Sequence, residues 1–135
     1  MMKTEKYRGR RLLLADDCPV SLGIVQRQLS ARGIEYDTAS DGKAALRMFC
    51  ASAPGRYSAV VTDIRMPLMD GCEESRCIRA SAHPQAGTIP IIALSSDNSP
   101  EDIIHCRECG INVHLSKPID IKSFFKTLDE LLRIK

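Results

Sequence analysis

The sequence predicts an α/β fold in which a five-stranded parallel sheet is covered by helices on both faces. Three observations predict it. Short apolar runs alternate with stretches of helical periodicity along the whole chain. The runs read as having no polar face, as strands do when helices cover both sides. Polar residues follow the runs instead of interrupting them: Asp16-Asp17, Asp63, Ser95-Ser96 and Lys117. With 135 residues, 44% hydrophobic and 27% charged, the chain suits one folded domain.

Taken in order, Arg11 to Ala15 is the first strand, closed by two aspartates. Pro19 opens a helix with Val20, Ile24, Val25 and Leu29 as its apolar stripe, and Gly33 ends it. Glu35 to Ala39 is the second strand. Ser40-Asp41-Gly42 turns into a helix carrying Ala45, Met48 and Phe49, broken by Pro54-Gly55. Ser58 to Thr62 is the third strand and Cys72 to Ala80 the third helix. After the loop His83 to Gly87, Ile89 to Leu94 is the fourth strand. Ser99-Pro100-Glu101-Asp102 reads as a capping box, its helix running to Cys109 and stopping at Gly110. Asn112 to Ser116 is the fifth strand. Asp120 caps a last helix in which Ile121, Phe124, Phe125, Leu128, Leu131 and Leu132 keep helical spacing.

Composition excludes several functions. A formal net charge of +2 argues against a nucleic-acid or membrane-surface partner, and the absence of Trp, with three Phe and three Tyr, leaves no platform for stacking bases. No apolar segment reads as a signal peptide or a membrane span, so a cytoplasmic location is expected. The six cysteines are then expected as reduced thiols. Cys106-x-x-Cys109 invites a zinc reading, but Cys72 and Cys77 do not complete a second such pair, so the thiols are read as small buried hydrophobes.

In open α/β sheets ligands bind beyond the carboxyl ends of the strands. With right-handed crossovers and the flavodoxin-like (βα)5 order 2-1-3-4-5, Asp16, Asp17 and Asp63 converge on one rim with Ser95 and Lys117. Close carboxylates do not all stay ionised without a cation. Lys117 is one; Mg²⁺, which prefers carboxylate oxygens, is the other. Such a rim suits phosphoryl transfer with Asp63 as nucleophile, while Mg²⁺, Lys117 and the Ser95 hydroxyl hold the phosphoryl oxygens. Singly, each residue has a plainer role: a cap, a turn, a loop serine. Their joint placement at four strand ends is what points to chemistry.

The stretches LLLADD, VVTDIRMPLMDG, PIIALSS and HLSKP, in this order, resemble the receiver domain of two-component response regulators, from about Arg10 to Ile134. The resemblance implies a receiver domain over residues 10–134 after a flexible lead at residues 1–9. It implies that Asp63 accepts a phosphoryl group from phosphohistidine on a histidine kinase or histidine phosphotransfer protein. Asp17, Asp63 and the Arg65 backbone carbonyl would bind Mg²⁺, with Asp16 acting largely through water. Lys117 would contact the phosphoryl group, Ser95 would be the switch hydroxyl, and the Lys117-Pro118 peptide would be cis. Such a domain is a signalling phosphoacceptor, not an enzyme in its own right. Its output would be a protein contact on the fourth helix, fifth strand and fifth helix. LADDCPVS and LSKPIDI look most like receivers within hybrid histidine kinases.

Two features depart from or tune the family pattern. His114 stands three before Lys117, where the family usually has Tyr or Phe coupled to the switch hydroxyl. Arg65 and Asp97 flank the acceptor and the switch serine, where an ion pair across the mouth would shield an acyl phosphate. Two other readings are weaker. An aspartyl-nucleophile phosphatase would need Asp where Arg65 stands, and a phosphorylation-independent binding module would usually have lost an acidic residue or the lysine.

Overall fold

The computed structural model describes residues 5–96 and 98–134. Its elements are β1 (Arg11–Ala15), α1 (Pro19–Ala31), β2 (Glu35–Ala39), α2 (Gly42–Ala51), β3 (Ala59–Asp63), α3 (Gly71–Ala80), β4 (Ile91–Ser95), α4 (Pro100–Glu108), β5 (Val113–Ser116) and α5 (Ile121–Leu132). The sheet order is β2-β1-β3-β4-β5 and every pairing is parallel. The predicted class and order are therefore observed.

Alternation along the central strands divides the core in two. Leu13, Val60, Ile91 and Ala93 face one layer with Ala45, Phe49, Cys72, Ile78 and Cys106, carried by α2, α3 and α4. Leu12, Leu14, Val61, Ile92 and Leu94 face the other with Val25, Leu29, Phe124, Phe125 and Leu128, carried by α1 and α5. The doubly apolar pattern holds for β1, β3 and β4 but not for the edges. In β2 only Ala39 is buried, and in β5 no residue is fully buried. Edge strands have a neighbour on one side only, so their side chains reach solvent at the rim.

Boundaries shift by a residue or two for local reasons. The fourth strand begins at Ile91, not Ile89, because Pro90 has no N–H for the ladder; its carbonyl instead accepts from Val60 N–H at 2.9 Å. The third strand extends to Asp63, which pairs in register with Leu94. Side-chain caps start four helices: Asp41 accepts from Ala44 N–H, Asp70 from Glu73 N–H, Ser99 from Asp102 N–H and Asp120 from Lys122 N–H. By contrast the N-cap of α1 is Cys18, whose side chain makes no cap bond.

One expectation needs correction. The stripe of α1 is Leu22, Val25 and Leu29; Val20 and Ile24 are 73% and 36% exposed. Helix phase decides this, since Val20 and Ile24 fall about 100° from Val25 or more, off the face turned to the sheet. A short segment also packs ahead of β1. Glu5–Tyr7 form a 3-10 turn, Tyr7 is buried against Phe125, and its hydroxyl donates to Asp129 at the end of α5. Lys6 adds an ion pair to the same carboxylate at 3.0 Å.

Candidate functional site

The carboxyl ends of β1, β3, β4 and β5 meet on one rim, and the parallel order brings their terminal residues together. Asp16 and Asp17 leave β1, Asp63 ends β3, Ser95 ends β4 and Lys117 follows β5. Carboxylate oxygens of Asp16, Asp17 and Asp63 all lie within 4.8 Å of one another. Lys117 Nζ lies 3.3 Å from Asp63 Oδ2 and 3.4 Å from Asp16 Oδ2. Lys117 is held there from the backbone: its N–H donates to the Ser95 carbonyl at 2.9 Å, and the Lys117–Pro118 peptide is cis.

The three aspartates are placed differently. Asp16 is buried, and its Oδ1 accepts from Cys18 N–H at 2.9 Å, so part of its capacity is spent locally. Asp17 is exposed. Asp63 is half-buried, and burial raises its pKa above the ordinary carboxylate value. Lys117 opposes that rise, Asp16 adds to it, and the Arg65 backbone N–H donates to Asp63 and lowers it again. Three carboxylates against one ammonium leave an excess of negative charge at the rim. A hard divalent cation fits this donor set: an octahedron with bonds near 2.1 Å has opposite oxygens about 4.2 Å apart, close to the spread of the oxygens here.

Ser95 is buried at 3% exposure and shares a small cavity with Ile64, Arg65, Cys72, Asp102 and His114. His114 faces this cavity rather than solvent alone, and its Nε2 is buried with no hydrogen-bond partner among the described residues. Arg65 is exposed at the mouth of the same cavity. Asp97, its expected counterpart across the rim, lies outside the described residues.

Sequence reasoning missed what lies behind Asp63. Gly71 begins α3 against the Asp63 carbonyl, and a Cβ there would be in hard contact with that oxygen. Gly71 N–H donates to the Ile64 carbonyl at 2.8 Å, closing the loop that carries Arg65. Glu74, on the next turn, is fully buried; its Oε1 accepts from the Thr62 hydroxyl at 2.7 Å while Oε2 has no hydrogen-bond partner among the described residues. Burial raises the Glu74 pKa to about 8, and Asp41 and Asp70 push the same way. Spacing held the signal: Glu74 stands four before buried Ile78, on the core face of α3. The reading of Cys106 and Cys109 as inward-facing holds, since both are 2% exposed. Spacing alone could not show that Cys72 and His105 join them.

The family description "response regulator receiver domain" matches residues 12–129. The peroxide stress-activated histidine kinase mak3 of Schizosaccharomyces pombe is 32% identical over 133 residues, which is 98% of this chain but 6% of that protein. The sensor protein EvgS of Escherichia coli is 31% identical over 123 residues, 91% of this chain and 10% of that protein. This chain thus spans a small fraction of the curated relatives it matches. The receiver domain of the sensor histidine kinase PA1611 from Pseudomonas aeruginosa, crystallised with a magnesium ion coordinated in its active site cleft, superposes with a TM-score of 0.82. It is 30% identical, over 93% of this chain and 98% of that one. The Vibrio cholerae chemotaxis protein CheY4 superposes with a TM-score of 0.81 at 29% identity, over 90% of this chain and 98% of that one.

Proposed function

The chain belongs to the response regulator receiver domain family, and from that premise we propose that Asp63 accepts a phosphoryl group from the phosphohistidine of a histidine kinase or phosphotransfer protein. The observation that carries this reading is the bridge from Lys117 Nζ to both Asp63 and Asp16 in a pocket of three carboxylates. An Asp63 oxygen forms the new bond to phosphorus as the phosphorus–nitrogen bond breaks; that bond's electron pair returns to the departing nitrogen, and the ring leaves neutral because its other nitrogen carries a proton. Lys117 then turns from the carboxylates to a phosphoryl oxygen, and the Ser95 hydroxyl donates to another. Asp16, Asp17, Asp63 and the Arg65 backbone carbonyl would hold Mg²⁺, which offsets the charge gathering on the phosphoryl oxygens.

In this reading the receiver domain covers residues 10–134, and its parent is a hybrid histidine kinase, in keeping with the small share of the matched histidine kinase that this chain spans. Phosphorylation adds roughly −1.5 to −2 charges. That charge draws in Ser95, and His114, which shares the Ser95 cavity, follows it to alter the α4–β5–α5 face. Arg65 and Asp97 set how long the acyl phosphate lasts; replacing either by Ala shortens its half-life modestly, since an exposed pair contributes only about 0–1 kcal/mol.

The test is intact mass after incubation with acetyl phosphate, with and without Mg²⁺, on the native chain and Asp63→Asn. A Mg²⁺-dependent gain of one phosphoryl group that the variant lacks is expected. A gain that Asp63→Asn retains would move the acceptor elsewhere. No gain from acetyl phosphate or from phosphorylated histidine kinases would leave a binding module in place of a phosphoacceptor.

A further inference from the structure

A second group of metal-binding atoms lies outside the carboxylate rim. The Cys72 and Cys109 sulfurs and a His105 ring nitrogen all lie within 4.8 Å of one another. His105 Nε2 is 3.7 Å from Cys109 Sγ, and Cys106 Sγ is 3.7 Å from Cys72 Sγ. These atoms come from two elements. Cys72 is the second residue of α3, while His105 and Cys106 lie on α4 with Cys109, its C-cap, one turn beyond both. We propose that Cys72, His105 and Cys109 form a zinc site that joins the start of α3 to α4, with Cys106 the nearest further sulfur.

Geometry supports a tetrahedral soft-metal site. Zinc bonds of about 2.3 Å to sulfur and 2.0–2.1 Å to nitrogen put sulfur and nitrogen about 3.6 Å apart, and two sulfurs about 3.8 Å apart. The His105–Cys109 separation of 3.7 Å fits, and the other ligand separations, all within 4.8 Å, close with side-chain movements. Access exists on one side, because His105 is exposed while Cys72 and Cys109 are buried. An outer contact is in place as well: the exposed Arg76 guanidinium lies 3.3 Å from Cys109 Sγ, where it can donate to a zinc-bound thiolate. Asp102, one turn before His105, lines the same cavity as the His105 ring.

Thiols packed as plain hydrophobes would not need an imidazole nitrogen turned back onto a buried sulfur. Ligand softness separates this site from the rim. Thiolate and imidazole select Zn²⁺, whereas three carboxylates select Mg²⁺, so the two metals need not compete. Zinc entry must release the thiol protons. The site is also mechanically close to the acceptor: Cys72 follows Gly71, which is locked to Ile64, the residue after Asp63. Zinc there fixes the segment that leads away from β3.

The test uses the reduced 135-residue chain in excess Mg²⁺, so that the carboxylates are already satisfied, titrated with Co²⁺ as a spectroscopic stand-in for zinc. Expected is a thiolate-to-cobalt charge-transfer band with the intense visible bands of tetrahedral Co²⁺, abolished by Zn²⁺. His105→Ala and Cys109→Ser are expected to weaken the apparent affinity at least about tenfold, and Cys50→Ser, at an exposed thiol on α2, to leave it unchanged. Circular dichroism checks each variant's fold, and His105, being exposed, keeps the test open if a cysteine variant misfolds. No charge-transfer band in the native chain, or a band undiminished in His105→Ala, would overturn the proposal.

Discussion

Glu74 shows how far a residue's environment can move it from its type. In sequence it stands in the first turn of a helix beside Glu73, where acids usually complement the dipole in solvent. The fold places it instead beneath the sheet, bonded to Thr62 and raised to about pKa 8. An unfolded Glu loses its proton near 4.5, while the folded one keeps it to about 8. Between those values the folded state binds more protons, so stability falls as pH rises through the window and levels off above it. Glu74→Gln is expected to be more stable than the native chain by a margin that grows from pH 5 to pH 8. Urea midpoints at both pH values check it, and a margin constant with pH would refute the assignment. Lys117 is the opposite case, legible from the sequence through its joint placement with Asp16, Asp17, Asp63 and Ser95 at the strand ends. Lys117→Gln is expected to slow phosphoryl gain from acetyl phosphate by about 10²-fold, the usual effect of losing one preorganised donor, read as a time course of intact mass.

At the scale of elements, the start of α3 governs the site's shape. Asp70 caps it, Gly71 touches the Asp63 carbonyl, and Cys72 enters the core. A Gly-to-Ala change near a helix start ordinarily gains stability or is neutral. Here the added methyl meets backbone that cannot move without shifting Asp63. Gly71→Ala is expected to cost about 1–3 kcal/mol in urea denaturation and to slow phosphorylation; a gain in stability would show that the loop has room. Periodicity gave the helices and their ends, since Pro19, Gly33, Ser99, Gly110 and Asp120 all act where their chemistry suggests. It did not give the phase of α1, because Val20, Ile24, Val25 and Leu29 fit a helical stripe that only the neighbouring sheet could orient. Nor did it distinguish edge strands from central ones, as pairing partners are not encoded in a strand's own composition.

On the scale of the whole molecule, the fold extends further toward the N-terminus than its first strand. Tyr7, at 2% exposure, closes the end of the α1–α5 layer by packing on Phe125 and bonding Asp129, across 122 residues of chain. Burial and the Asp129 carboxylate raise the Tyr7 pKa, so the phenol stays a donor at any ordinary pH. Tyr7→Ala is expected to cost about 3–5 kcal/mol, as for other large buried aromatics, and Tyr7→Phe about 1 kcal/mol for the bond alone. Thermal denaturation of both checks the order; equal, negligible losses would make the segment dispensable. Nothing local announces this contact, because a single Tyr among basic residues carries no periodic signal.

The sequence by itself determined the α/β class and, given the flavodoxin-like order 2-1-3-4-5, the convergence of Asp16, Asp17, Asp63, Ser95 and Lys117. Those follow from local rules: apolar runs, caps, and the fact that parallel strands all end on one rim. Tertiary structure alone decided which acids are buried, where His114 points, how Tyr7 docks, and that Cys72 meets His105 and Cys109. Each depends on side chains from elements distant in sequence, and burial and proximity are properties of the packed whole, not of the segment that carries the residue.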